Sequence, residues 1–82
     1  MFEKCICIGI EVRHKTDFNT KKPYDAYYFH GESVDHKALE GKVTFSGKLQ
    51  DSCVAKCVVG KEYLVAYTTY NGYITIRELF EV

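Results

Sequence analysis

The sequence predicts a mainly β protein, a small five-stranded barrel with one short helix in the order β-β-β-α-β-β. The first observation is that apolar and polar residues alternate with a period of two along several segments, which is typical of strands. The second is the dipeptide Asn71-Gly72, a strong signal for a tight hairpin. The third is a short apolar stretch that ends at Gly60, which indicates one helix. We therefore expect a single domain, residues 1–82.

The composition is that of a globular chain. The 82 residues are 46% hydrophobic, 27% charged and 15% aromatic, with a single proline. This excludes intrinsic disorder, which requires few aromatic and β-branched residues. No apolar run approaches the roughly 20 residues of a membrane span, and the first residues lack the small-residue cleavage site of a signal peptide. We expect a cytoplasmic protein with no membrane partner.

The net charge is zero, because 11 Lys and Arg residues balance 11 Asp and Glu residues. No global field therefore draws the protein to DNA or to membranes. The charge is nevertheless uneven along the chain. Residues 13–22 contain Arg13, Lys15, Lys21 and Lys22 against Asp17 alone, which makes this segment locally basic.

The first half of the chain predicts three strands. Strand one covers residues 2–13, where isoleucines alternate with cysteines and Gly9 permits a bulge. Polar residues 14–23 lead to strand two at residues 24–30, so the two strands form a hairpin with a long basic tip. Residues 33–40 form either a helical turn capped by Ser33 or a plain loop. Strand three covers residues 43–49.

The second half predicts one helix and two strands. The helix covers residues 52–59, about two turns, with Asp51 or Ser52 as its N-cap and Gly60 at its end. It is apolar nearly all round, so it should pack against the core. Strands four and five follow at residues 63–70 and 73–82.

This order of elements is that of the oligonucleotide/oligosaccharide-binding (OB) barrel. Residues 60–67 and 70–82, with their glycines, aromatic and β-branched residues, resemble the C-terminal strand pair of small phage single-stranded-DNA-binding proteins. These include the helix-destabilising proteins of filamentous phages, and Lys22-Pro23-Tyr24 is similar too. The resemblance implies an OB-like fold in a phage or mobile-element protein. Those proteins are usually more basic over the binding cleft than this neutral chain.

Residues suited to bind single-stranded nucleic acid occur around both hairpins. Such ligands are held by aromatic rings that stack on bases and by Lys or Arg that contact phosphates. Because stacking tolerates any base, we expect binding of single-stranded DNA or RNA without sequence specificity. The alternative is that these residues bind nothing: the tyrosines are then ordinary strand residues, and the charged hairpin tip is simply solvated. The candidate residues are Arg13, Lys15, Phe18, Lys21, Lys22, Tyr24, Tyr27, Tyr70, Tyr73 and Arg77.

A protein partner is the alternative ligand. A small neutral barrel rich in tyrosine suits a protein interface, where Tyr and Arg are enriched at energetic hot spots. The alternative function is a small protein-binding module, such as a phage or mobile-element inhibitor of a host enzyme or defence complex. We also expect a homodimer, because the core is thin and apolar side chains lie on both faces of strands one and two.

The four cysteines are Cys5 and Cys7 on one face of strand one, and Cys53 and Cys57 on one face of the predicted helix. Since the isoleucines occupy the other face of strand one, the cysteine face must be covered by the helix or by a partner chain. The spacing lacks the C-x-x-C knuckle of zinc sites, and free cysteine packs like a small hydrophobe. We expect packed, reduced thiols and no metal or other cofactor; a zinc site and a disulfide are the alternatives.

The histidines do not indicate catalysis. His14, His30 and His36 are not part of any nucleophile elbow, phosphate-binding loop or metal-binding helix motif. We therefore expect that the protein is not an enzyme.

Overall fold

The computed structural model describes all residues from Met1 to Val82. The predicted order of three strands, a helix and two strands is confirmed, and so is the mainly β fold class. No helix in the structure has the length and apolarity that a membrane crossing requires. The elements are β1 (Phe2–Thr16), β2 (Pro23–Ser33), β3 (Thr44–Leu49), α1 (Asp51–Val54), β4 (Glu62–Tyr70) and β5 (Tyr73–Glu81).

The strands form one sheet that closes in a ring, in the order β1-β2-β3-β5-β4. β1 closes the ring because its first residues pair with β4 while the rest of the strand pairs with β2. Only β3 and β5 run parallel to each other. They approach so closely that a Cβ atom on Gly47 would lie 2.7 Å from Ile74 Cγ2. Glycine is therefore required where β3 meets β5.

β1 and β2 form a hairpin that is longer than the sequence predicts. The strands continue through residues 14–16 and 23, so the tip is the short turn of residues 17–22. The Asp17 carboxylate stabilises this turn by accepting the backbone N–H groups of Asn19 at 2.8 Å and Thr20 at 3.0 Å. The predicted bulge is confirmed, since the β1–β2 register shifts between Cys7 and Gly9.

The segment between β2 and β3 is a loop, which is the second of the two predicted alternatives. The Ser33 hydroxyl accepts the backbone N–H of His36 at 3.3 Å, as an N-cap would. No helix follows, and the chain reverses at Gly41, whose φ is 78°.

The core lies inside the ring and is built from all five strands and the segment around α1. Tyr63 is 1% exposed, and its hydroxyl both donates to the Lys56 carbonyl and accepts the Val58 N–H, each at 2.9 Å. This side chain therefore anchors the residues that follow α1. The core residues are Cys5, Cys7, Phe29, Leu49, Cys53, Cys57, Tyr63, Val65, Ile76 and Leu79.

On β1 the cysteines, and not the larger isoleucines, face the core. Cys5 and Cys7 are 0% and 1% exposed and face the core. Ile6 and Ile8, by contrast, are 37% and 47% exposed. The cysteine face is covered, as predicted, by the region of the helix, since Cys57 Sγ lies 3.6 Å from Cys7 Sγ. The cysteines face the interior at a crowded point, because a Cβ atom on Gly31 would lie only 2.8 Å from Cys5 Cβ.

The predicted helix over residues 52–59 is wrong in length, because α1 ends at Val54. Its N-cap residue is Gln50, which makes no side-chain capping bond. Past α1 the backbone bonds to β1 instead: Gly60 N–H donates to the Cys7 carbonyl at 2.8 Å, and Cys7 N–H donates to the Lys61 carbonyl at 2.9 Å. These long-range bonds and the Tyr63 hydroxyl take the backbone groups that a second helical turn would need.

All four cysteines are buried and none forms a disulfide, so the thiols are packed in the core as predicted. Burial raises the pKa of Cys5 to about 12, with a contribution from the nearby Glu3 carboxylate. Burial and the contact with Cys7 likewise raise the pKa of Cys57 to about 12. Because the thiolate is the reactive form of cysteine, these protonated thiols are poor nucleophiles at neutral pH.

Candidate functional site

One row of paired residues crosses the whole sheet on its outer surface. Glu11 pairs with Tyr28, Tyr28 with Lys48, Lys48 with Thr75, and Thr75 with Thr68. Directly paired residues project from the same face of a sheet. Since the next row contains the core residue Phe29, this row faces outward. It is the centre of a surface that we call the cationic face, whose functional side chains are Arg13, Lys15, Tyr28, His30, Lys48, Tyr70, Tyr73 and Arg77.

Tyr28 positions two cations at one end of the cationic face. The guanidinium carbon of Arg13 lies 3.9 Å from the centroid of the Tyr28 ring, a cation–π contact. Lys15 Nζ donates to the Tyr28 hydroxyl at 2.7 Å. This hydrogen bond lowers the pKa of Tyr28 and raises the pKa of Lys15. The tyrosine therefore holds both cations at the surface rather than offering a free ring.

Glu11 and His30 complete a polar network beside Tyr28. Arg13 Nε and Nη2 donate to the two Glu11 carboxylate oxygens at 3.0 Å each. His30 Nε2 lies 2.9 Å from Glu11 Oε1, and its Nδ1 lies 2.7 Å from Ser46 Oγ. Because a carboxylate only accepts, Nε2 donates to it, and Nδ1 of a neutral ring accepts from the Ser46 hydroxyl. Arg13 thus has its charge balanced within the chain.

Lys48 and Arg77 carry charges that no carboxylate balances. Neither side chain forms an ion pair in the structure. Arg77 is held by neutral groups, since its Nε donates to Thr68 Oγ1 at 3.0 Å and its Nη1 donates to Gln50 Oε1 at 3.2 Å. These two cations are therefore available to an anionic ligand.

Two shallow depressions meet at Lys48 and form one groove across β2, β3 and β5. The first has a volume of about 200 Å³ and is lined by Arg13, Tyr28, His30, Lys48 and Tyr73, among others. The second has a volume of about 270 Å³, and Thr75, Arg77 and the acidic Asp51 are among its lining residues. The groove is open to solvent, so it suits an extended ligand rather than an enclosed small molecule.

Two free aromatic rings stand at the Tyr73 end of this groove. Tyr70 and Tyr73 are 78% and 77% exposed and pair directly across the β4–β5 hairpin. The turn between them is the predicted one, because Asn71 and Gly72 have φ values of 49° and 80°. Both rings lie on the outer side of the sheet and are accessible to a planar ligand.

The structure brings some of the predicted site residues together and separates others. Tyr27 lies on the opposite face of β2 from Tyr28 and packs against the core. Phe18 is 86% exposed on the β1–β2 turn, with Lys21 Nζ 5.0 Å from its ring centroid. Tyr24 is half-exposed and pairs directly with Lys15, so it projects from the same side of the sheet as the cationic face, whereas Lys22 ends the turn. The predicted residues on this side of the sheet are Arg13, Lys15, Tyr24, Tyr70, Tyr73 and Arg77.

Tyr28, His30 and Lys48 belong to the cationic face but were missed from the sequence. Lys48 gave a usable signal, since it alternates with Gly47 and Leu49 and so had to face outward from β3. β2 gave none, because aromatic residues occupy both of its faces.

We expect the Glu11 network to be visible as a depressed acid titration. Hydrogen bonds from Arg13 and His30 lower the pKa of the Glu11 carboxyl to about 2, against about 4.3 in an unfolded chain. Because the folded-state pKa is the lower one, the network stabilises the folded protein at neutral pH. That contribution is lost as the pH falls from about 4.3 toward 2.

An NMR titration of the side-chain carboxyl signals measures this pKa. Arg13→Gln should raise it toward the usual range, whereas Lys42→Ala, at a different carboxylate, should leave it unchanged. A wild-type Glu11 that titrates like an ordinary glutamate would show that the network does not exist in solution.

No protein-family model matches the chain, and neither a curated protein nor a solved structure shows significant similarity to it.

Proposed function

We propose that the protein binds single-stranded nucleic acid, DNA or RNA, along the cationic face and without sequence specificity. The observation that carries this proposal is the groove in which the unpaired cations Lys48 and Arg77 lie beside the free rings of Tyr70 and Tyr73. Single-stranded ligands need this combination of phosphate contacts and stacking platforms. We also propose that the protein is not an enzyme.

The connectivity supports the same proposal. A five-stranded ring in the order β1-β2-β3-β5-β4, with a helix between β3 and β4, is what an OB-like fold has. OB folds bind oligonucleotides on the face of strands two and three, between the β1–β2 and β4–β5 loops. Tyr28, His30, Ser46 and Lys48 are on that face of this protein.

Different residues of the cationic face bind different parts of the ligand. Lys15, Lys48 and Arg77 contact phosphates, and Tyr70 and Tyr73 stack on bases. The Arg13 guanidinium, whose central carbon lies 3.9 Å from the centroid of the Tyr28 ring, offers a further planar group for stacking. No side chain on the face is arranged to read the edge of a particular base, so sequence preference should be weak.

Salt dependence tests the phosphate contacts. We expect a fluorescently labelled oligo-dT to bind with an affinity that falls steeply with salt, because phosphate contacts release counterions. Lys48→Ala combined with Arg77→Ala should weaken binding and lower the slope of log affinity against log salt by about 1.4, at about 0.7 per lost phosphate contact. Fluorescence anisotropy at several salt concentrations measures both quantities.

The matched control is Lys37→Ala, since Lys37 lies on the β2–β3 loop and forms no ion pair. This variant should keep the wild-type affinity and slope. Absence of oligonucleotide binding at low salt would contradict the proposal, and so would a double variant with an unchanged slope.

Binding of a protein partner, such as a host enzyme or defence complex, is the second candidate function. It is favoured by the same exposed pair, Tyr70 and Tyr73, because tyrosines dominate many protein interfaces. Affinity capture from a nuclease-treated lysate separates the two functions. A stoichiometric partner lost on Tyr73→Ala, together with no oligo-dT binding, would favour this second function.

A further inference from the structure

A second exposed surface, made by β1, β4 and β5, is apolar where the cationic face is polar. Leu64 lies at its centre, paired with Lys4 on one side and with Phe80 on the other. Phe2 and Ile6 occupy the neighbouring positions on β1, opposite Ala66 and Glu62 respectively. We call this surface the apolar face and define it by Phe2, Ile6, Leu64 and Phe80.

The apolar face is not covered by any part of the chain. Phe2 is 63% exposed, Phe80 is 49% exposed and Ile6 is 37% exposed. Their neighbours in sequence on the inner side, such as Val65 and Leu79, fill the core instead. Apolar side chains that are contiguous on a surface, rather than scattered singly, mark an interaction site.

Two unpaired charges of opposite sign lie on the apolar face. Lys4 is directly opposite Leu64. Two residues further along β1, Ile6 is directly opposite Glu62. Neither side chain forms an ion pair within the chain. A face with one free cation and one free anion on either side of an apolar centre is complementary to itself after a rotation by half a turn.

We propose that the apolar face is a two-fold interface between two copies of this chain. In such an interface the same patch is used twice, so every contact occurs in two symmetric copies. Leu64 and Phe80 of each copy cover those of the other, while Lys4 of each copy meets Glu62 of the other. Burial of the apolar face should increase the stability of the fold, because only 14 of its 82 residues are buried in the single chain.

This choice of occupant follows from the charges. A heterologous partner would need to supply both an acidic and a basic group at matching positions, whereas a second copy supplies both. The interface shares no residue with the cationic face, so it leaves that face open in both copies and does not depend on what the cationic face binds.

Charge reversal with complementation tests the interface. Wild type should sediment at twice the mass of one chain at concentrations above a micromolar dissociation constant. Lys4→Glu alone and Glu62→Lys alone should each weaken self-association at least about tenfold, because each places like charges together twice in the dimer. The double variant K4E/E62K should dimerise like wild type.

Mixing the two single variants provides the decisive measurement. One chain then carries two glutamates at these positions and the other carries two lysines, so both contacts across the interface become attractive. We expect the equimolar mixture to form a one-to-one dimer although neither variant dimerises well alone. Compensation within one chain does not produce this result, and a cooperative thermal unfolding transition in each variant shows that it is folded.

A matched pair of apolar variants tests the same interface without charge changes. Phe80→Ser should weaken the dimer, whereas Leu39→Ser, on the exposed β2–β3 loop, should not. Wild type that remains monomeric at its highest soluble concentration would overturn the proposal. So would single variants, Lys4→Glu alone and Glu62→Lys alone, that each dimerise like wild type, or single variants that fail to associate when mixed.

Discussion

Replacing Tyr70 and Tyr73 with alanine is expected to weaken oligo-dT binding by about 1–3 kcal/mol for each ring, which is the range measured for stacked bases. Both side chains are more than three-quarters exposed, at 78% and 77%, so the folded chain loses little packing. The substitutions should lower the free energy of unfolding by no more than the roughly 0.2–1 kcal/mol that a cross-strand pair contributes. The loss should be equal at low and high salt, because stacking involves no counterion release.

Phenylalanine at the same two positions separates stacking from hydrogen bonding. Tyr70→Phe and Tyr73→Phe keep the ring and should retain near-wild-type affinity. Phe18→Ala provides the comparison with the hairpin tip, since Phe18 is equally exposed but lies outside the groove. A loss of affinity in Phe18→Ala with none in the tyrosine variants would move the site from the cationic face to the β1–β2 turn.

Phe29→Ala is expected to lower the free energy of unfolding by about 3–5 kcal/mol, the usual cost of deleting a buried aromatic ring. Phe29 is 0% exposed and is among the largest side chains in the core. Its ring lies directly over Gly31, where an added Cβ would be 2.6 Å from Phe29 Cε1. Because the ring packs this closely against the neighbouring backbone, its removal should leave a cavity.

Urea denaturation followed by tyrosine fluorescence measures this change. Phe18→Ala is the matched control in the same hairpin and should alter stability by less than about 0.5 kcal/mol. If Phe29→Ala cost no more than Phe18→Ala, the assignment of the two faces of β2 would be reversed. In that case Tyr28, and with it the cationic face, would lie inside.

The pair Tyr27 and Tyr28 shows why part of the site could not be predicted from the sequence. Both are tyrosines in one strand, and alternation says only that they face opposite ways. Which of the two faces the solvent depends on the register with β1 and β3, where Tyr28 meets Glu11 and Lys48. Tyr73 and Arg77 join Lys48 on this surface only because β5 pairs with β3 across a long stretch of sequence.

The helix shows a similar limit. Its position between β3 and β4 could be predicted from the apolar stretch and Gly60, which adopts a φ of 94°. Its length could not, because the Gly60 N–H bonds to Cys7, and the Lys56 carbonyl and the Val58 N–H bond to the Tyr63 hydroxyl. Helix signals are local, whereas these competing partners come from distant parts of the chain.

The sequence by itself determined the strands, their order, the bulge at Gly9 and the turn at Asn71-Gly72, because each depends on local periodicity or on backbone freedom. Only the tertiary structure decided which face of β1 and which face of β2 is inside. On β1 both faces are apolar, so a period of two is satisfied equally by either orientation. Closure of the ring resolved this, with Cys5 and Cys7 inside the narrow interior and the bulkier Ile6 left on the surface.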